Sequence, residues 1–273
     1  TYLGALQAFA LQTPRVIDLD AWIDTGIRRA PQLGGGLAFC YLTPNFANPD
    51  GATMPIDVRR ALLARLDDAG MPLVEDDPYG ELWSDAPPPP ACRALAPQRT
   101  LYLGSFSKVL APGLRVGYVA GPRFAIELLT RLKQAADLHT PSLNQRIIAA
   151  LIEDGTLDRQ LPVVRAIYQR QRNALLAAMD RHLSRFATWE ATKGGMFVWV
   201  TLRPDSGLEA KSLFECALAR QVAFVPGAPF YFAAPDPRTL RLAFSTLPAA
   251  CMDEGMARLS AACEDALARG VCS

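Results

Sequence analysis

The sequence predicts an α/β fold: a mainly parallel sheet in a larger first domain, followed by a smaller α+β domain. Three observations carry this. Short apolar runs alternate with helical periodicity through the first half. Each of three such runs ends in a polar cluster. Beyond about residue 156 the pattern changes to long helices separated by isolated strands. Alternating strands and helices point to a parallel sheet, and ligands in such sheets bind outside the carboxyl ends of the strands. The expected domains are therefore residues 1–155 and 156–273.

The elements follow in order. Ala38 to Leu42 is a short strand stopped by Thr43-Pro44. Pro55 to Ala69 has apolar residues at helical spacing (Ile56, Val58, Leu62, Leu63, Leu66) and stops at Gly70. Met71 to Val74, Leu101 to Leu103 and Val116 to Ala120 are further strands. Phe124 to Ala136 and Leu143 to Leu151 read as amphipathic helices. The second domain is expected to hold a helix over Val163 to Leu183, a strand over Met196 to Leu202 and a helix over Leu208 to Arg220. A strand over Leu240 to Ser245 and a closing helix over Met252 to Ala268 complete it. The tetraproline Pro87 to Pro90 excludes regular structure and marks a surface loop.

Composition excludes several function classes. The net charge is +1, with basic residues spread along the chain, so neither a nucleic-acid patch nor an acidic tail is indicated. No stretch approaches the roughly 18–20 apolar residues of a membrane helix. Six cysteines without a CxxC pair, and two histidines, argue against zinc and for a reducing, cytoplasmic compartment. No metal is expected. The chain begins at Thr1 and reads as though from the middle of a protein.

The candidate chemistry starts at Lys108. The chain has four lysines against 24 arginines, and only a primary amine can form a Schiff base. Lys133 and Lys211 lie in helical stretches and Lys193 in a glycine turn, whereas Lys108 follows a strand in Gly104-Ser105-Phe106-Ser107-Lys108. The hydroxyls of Ser105 and Ser107 suit a phosphate, as does Arg115, seven residues on, whose guanidinium binds such a group bidentately. Asp76, at a strand end, suits a ring nitrogen that must stay protonated for the ring to withdraw electrons. Tyr79 and Asn48 are placed to hydrogen-bond a phenolic oxygen on that ring. Each feature alone has a bland reading: a surface lysine, a surface ion pair, an acidic cap, a turn.

In combination, Asn48-Pro49-Asp50-Gly51, Asp76-Asp77-Pro78-Tyr79, Ser105-Phe106-Ser107-Lys108 and Arg115 resemble class I/II aminotransferases of pyridoxal-phosphate fold type I. The wording is most similar to the α-aminoadipate, kynurenine and aromatic amino acid subgroup. Lys193 to Trp199, Val225 to Gly227 and Leu240 to Ser245 continue the likeness. The resemblance implies a pyridoxal 5'-phosphate (PLP) cofactor on Lys108, transfer of an amino group between an amino acid and a 2-oxo acid, and a homodimer. It implies that Arg241 holds the substrate α-carboxylate, that Asn48 also belongs to the substrate site, and that Tyr2 stacks on the cofactor. It also implies that an N-terminal part of the large domain, including a phosphate-binding loop, is missing. Two other readings are a PLP-binding effector domain of a transcription regulator and an inactive aminotransferase fragment.

Overall fold

The structure is a computed structural model that describes residues 2–11, Val16, Leu19 and 39–270. Ala38, the expected start of the first strand, and Cys272 lie outside the described residues. The chain forms two compact units, one of residues 15–45 and 53–164, the other of residues 1–14, 46–52 and 165–273.

The first unit holds a sheet of β1 (Cys40–Leu42), β2 (Leu73–Asp76), β3 (Thr100–Ser105) and β4 (Gly117–Ala120), in that order. The β1–β2 and β2–β3 pairs are parallel, with Leu42 opposite Glu75 and Asp76 opposite Leu103. The β3–β4 pair is antiparallel, with Ser105 opposite Gly117. The elements match the predicted alternation. Successive strand side chains point to opposite faces, which sorts this sheet. Cys40, Leu42 and Leu73 pack with Leu62 and Leu66 of α2 (Ile56–Asp68) and with Cys92 of α3 (Cys92–Leu95). Gly70, at φ +64°, ends α2 in the left-handed conformation that glycine adopts without strain. Helices α4 (Arg123–Asp137) and α5 (Ser142–Glu153) follow β4. The apolar stripe Phe124, Leu128 and Leu132 of α4 stands exposed.

One buried residue fixes the carboxyl end of this sheet. Arg59 on α2 is 0% exposed, and each of its five N–H groups has an acceptor. Nε donates to Met54 O at 2.9 Å; Nη1 donates to Pro89 O at 3.2 Å and Pro90 O at 3.1 Å; Nη2 donates to Pro44 O at 3.1 Å and Asn45 Oδ1 at 2.5 Å. The tetraproline segment is irregular, as expected, yet it is tied inward by two carbonyls. Burial pulls the guanidinium pKa down, and Cys92, Glu75 and Asp77 push it back up. Glu75, also 0% exposed, accepts the N–H groups of Cys92 and Arg93, both at 2.7 Å, at the start of α3.

The second unit holds an antiparallel sheet of order β5-β6-β8-β7: Ala187–Trp189, Phe197–Leu202, Thr239–Ala243 and Val225–Pro226. Its core joins the sheet to α6 (Thr156–His182), α7 (Ala210–Ala219) and α8 (Met252–Gly270), through Leu175, Met179, Val198, Val200, Leu213, Leu240 and Leu259 among others. The short α1 (Leu3–Ala10) belongs to this unit. Most boundaries differ from the sequence reading by one or two residues, and one differs by more. Helix α6 starts at Thr156 rather than Val163 and carries Pro162 inside it. Asp154 Oδ1 accepts the Thr156 N–H at 2.8 Å, an Asx turn that starts the helix upstream of the proline.

Arg59 yields a stability prediction. Arg59→Met removes a buried charge while leaving five oxygens without their donor, so unfolding free energy is expected to fall by about 3–5 kcal/mol. Denaturant titration of the purified variant measures this, and a loss under about 1 kcal/mol, the size of a surface interaction, would contradict the role.

Candidate active site

In the first unit, six candidate residues gather at one end of one sheet. Asp76 ends β2 and Tyr79 follows it. Ser105 ends β3, with Ser107 and Lys108 in the turn beyond, and Arg115 lies two residues before β4. Because β2 and β3 are parallel and β4 antiparallel to them, all three approaches lie at the carboxyl end of β2 and β3.

Alternation divides the acidic triplet. Glu75 points to the α3 side and is consumed as a helix-start acceptor. Asp76 points to the other face, where Tyr41 of β1 donates its phenol to Oδ2 at 2.5 Å. Asp77, past the strand, accepts from Asn45 Nδ2 at 2.8 Å and Tyr102 Oη at 3.1 Å on Oδ2, and from Gly80 N at 3.0 Å on Oδ1. Burial raises the pKa of all three. The Tyr41 bond opposes this at Asp76; Asn45, Tyr102 and the Gly80 N–H oppose it at Asp77. Hydrogen bonds to a carboxylate favour its charged form. Tyr79 is 5% exposed.

The Lys108 turn is closed by bonds from Leu110 N and Ala111 N to Phe106 O, at 2.9 and 3.2 Å. Ser105 Oγ accepts the Ser107 N–H at 3.2 Å, which leaves its own hydroxyl proton as a donor. Lys108 is half-buried. Gly104 has no side chain because the Tyr118 ring covers it: a Cβ there would lie 2.1 Å from Tyr118 Cζ. Arg115 is exposed, in the left-handed region at φ +53°, with Nη1 donating to Pro112 O at 3.2 Å.

The second unit holds the remaining three. Asn48 is 6% exposed, and its Oδ1 accepts Arg241 Nη1 at 2.6 Å. Arg241, on β8, has its guanidinium 4.0 Å from the Phe197 ring centroid and 5.1 Å from that of Phe230. Rings on a guanidinium face attract it and exclude water. Tyr2 is exposed, and its carbonyl accepts the N–H groups of Ala5 and Leu6 at the start of α1.

Sequence reading missed Tyr41, Arg59 and Tyr102 as parts of this end of the sheet, and gave Asn45 and Asp77, inside the polar clusters at strand ends, no role of their own. Period 2 puts Tyr41 on the face opposite Cys40 and Leu42, and only the register with β2 makes that the Asp76 face. Among the described residues no group of three His, Cys, Asp or Glu could hold a metal ion, and no helix is long and apolar enough to cross a membrane. Burial pushes the thiols of Cys40, Cys92 and Cys263 up to about 12, far from nucleophilic use near neutrality.

Comparison with known proteins shows the family to which the chain is similar. The family model for aminotransferase class I and II matches residues 25–259. A 2-aminoadipate transaminase of Thermus thermophilus is 41% identical over 98% of this chain and 68% of its own length. The crystal structure of LysN, an α-aminoadipate aminotransferase from the same species complexed with N-(5'-phosphopyridoxyl)-L-leucine, superposes with a TM-score of 0.90. It is 40% identical, over 98% of this chain and 70% of that one. The HTH-type transcriptional regulator YisV of Bacillus subtilis is 32% identical over 90% of this chain but only 51% of its own length. The chain thus spans about two thirds of the length of the aminotransferases it matches. With a family match over most of its residues, the chain belongs to the class I and II aminotransferases.

Proposed function

We propose that this chain carries the main catalytic residues of a PLP-dependent aminotransferase acting on an amino acid and a 2-oxo acid, with Lys108 as the attachment point. The observation that carries the reading is the pairing of a half-buried carboxylate, Asp76, with a lysine turn at the ends of adjacent parallel strands. The donor set fits the cofactor: a primary amine, two serine hydroxyls and a guanidinium for a phosphate, and an acceptor already oriented by one phenol. The regulator reading is weaker, because that relative is less similar and matches over half its length.

When bound, PLP supplies an electron sink for the pair released at the substrate's Cα. Lys108 Nζ would hold the cofactor and, with its amine free, would take the proton from the substrate's Cα as a base and return one as an acid. Asp76 would keep the ring nitrogen protonated, and Tyr79 and Asn48 would hydrogen-bond the phenolic oxygen. Ser105, Ser107 and Arg115 would hold the phosphate, and Tyr2 would pack against the ring. Arg241, with Asn48 on one nitrogen, receives the α-carboxylate and so orients the Cα–H bond. A homodimer, a cytoplasmic location and the 1–155 and 156–273 domain division belong to the same proposal.

Three experiments test it. Borohydride reduction of PLP-loaded protein followed by peptide mapping is expected to label Lys108; label on another lysine, or none, overturns the assignment. Lys108→Ala is expected to lower turnover by roughly 10²–10⁴-fold, the usual range for a lost general acid–base. Arg241→Lys removes the bidentate fork, so KM for the amino acid is expected to rise roughly 10- to 100-fold with a smaller change in kcat. Steady-state kinetics with several amino acids checks this, and an unchanged KM would remove Arg241 from the carboxylate site.

A further inference from the structure

Asp76 and Asp77 are neighbours with unlike surroundings. Asp77 is held by three donors within a network that runs through Asn45 to Arg59. The bond that holds Asp76 comes instead from Tyr41 Oη, at 2.5 Å on Oδ2. The register explains how Tyr41 reaches it. Tyr41 pairs with Val74, so Asp76 is its diagonal neighbour two residues on, on the same face of the sheet. The flanking Cys40 and Leu42 point the other way, into the packing against α2. A tyrosine at this position therefore serves the site-facing side of the sheet rather than the α2 core.

We propose that Tyr41 is a positioning residue for Asp76: its phenol holds Oδ2 and the carboxylate plane, so that Oδ1 meets the cofactor's ring nitrogen. The proposal rests on the aminotransferase reading of Asp76. Its chemistry concerns one proton shared between carboxylate and ring nitrogen. A donor on the carboxylate stabilises the ionised acid, so the proton resides on nitrogen, where it makes the ring electron-withdrawing. Without that donor the half-buried carboxyl becomes more basic and draws the proton to itself. The raised pKa at Asp76, opposed by the Tyr41 bond, has the same sense.

The test uses PLP-loaded protein with the cofactor labelled by 15N at its ring nitrogen. In Tyr41→Phe the nitrogen chemical shift is expected to move toward its unprotonated value. Loss of one hydrogen bond to a charged group corresponds to a kcat lower by roughly 10-fold, with KM for the amino acid within about 2-fold. Asp76→Asn, as reference, is expected to show a larger shift in the same sense. If Tyr41→Phe folds and its nitrogen shift equals that of the parent while Asp76→Asn moves it, the Tyr41 role is overturned and the aminotransferase reading stands. If Asp76→Asn leaves the signal in place, the reading of Asp76 fails and the Tyr41 role fails with it. Should Tyr41→Phe not fold, 3-fluorotyrosine at position 41, a stronger donor of nearly the same shape, is expected to move the signal the opposite way. An unmoved signal there also overturns the proposal.

Discussion

Arg59 is the residue on which the site-bearing end of the sheet depends. Its guanidinium joins the chain after β1, the entry to α2 and the proline segment through five carbonyl or amide oxygens. Through Asn45 the same group reaches Asp77, and through Asp77 it reaches Tyr102 on β3. A charge without water is costly unless every donor is paired, and here every donor is. The proline carbonyls suit the task because a proline run offers acceptors while withholding its own N–H groups. Three strand ends are thereby held in register before any ligand arrives.

Against that fixed frame the charged groups divide the work by face. Glu75 faces the interior, Asp77 anchors the loops, and Asp76 points to the open side with one oxygen engaged. In the other unit, Asn48 and the rings of Phe197 and Phe230 hold Arg241 in place. Each group is restrained by its neighbours, so its orientation is set in advance, and preorganised dipoles and charges act most strongly where water is excluded.

Much of the fold was legible because periodicity and punctuation are local. The strand ends, the glycine stop of α2 and the lysine turn could each be read within about fifteen residues. Lys108 stood out through the scarcity of other primary amines. The links that make the site were not legible, because they join distant residues. Asn48 meets Arg241 across 193 positions. Arg59 lies in an amphipathic helix, where an arginine ordinarily marks the solvent face, and nothing near it in sequence announces that five oxygens will surround it. Tyr41 reads as one more apolar residue in a short strand until its partner strand supplies the diagonal. The start of α6 was misplaced because the Asx turn at Asp154, upstream of Pro162, was not read as a helix start.

The alternation along β2 has a consequence for how such a chain can vary. Glu75 and Asp76 differ by one methylene, yet each belongs to a different side of the sheet. A substitution in β2 alters one side chain and leaves its neighbours facing as before. A single inserted or deleted residue upstream in that strand would exchange the two carboxylates: the helix-start acceptor would turn to the open face and the site acid would be driven under α3. Descendants of this sequence can therefore drift in identity at these positions while the length of the strand stays fixed, and its loops remain the place where length can change.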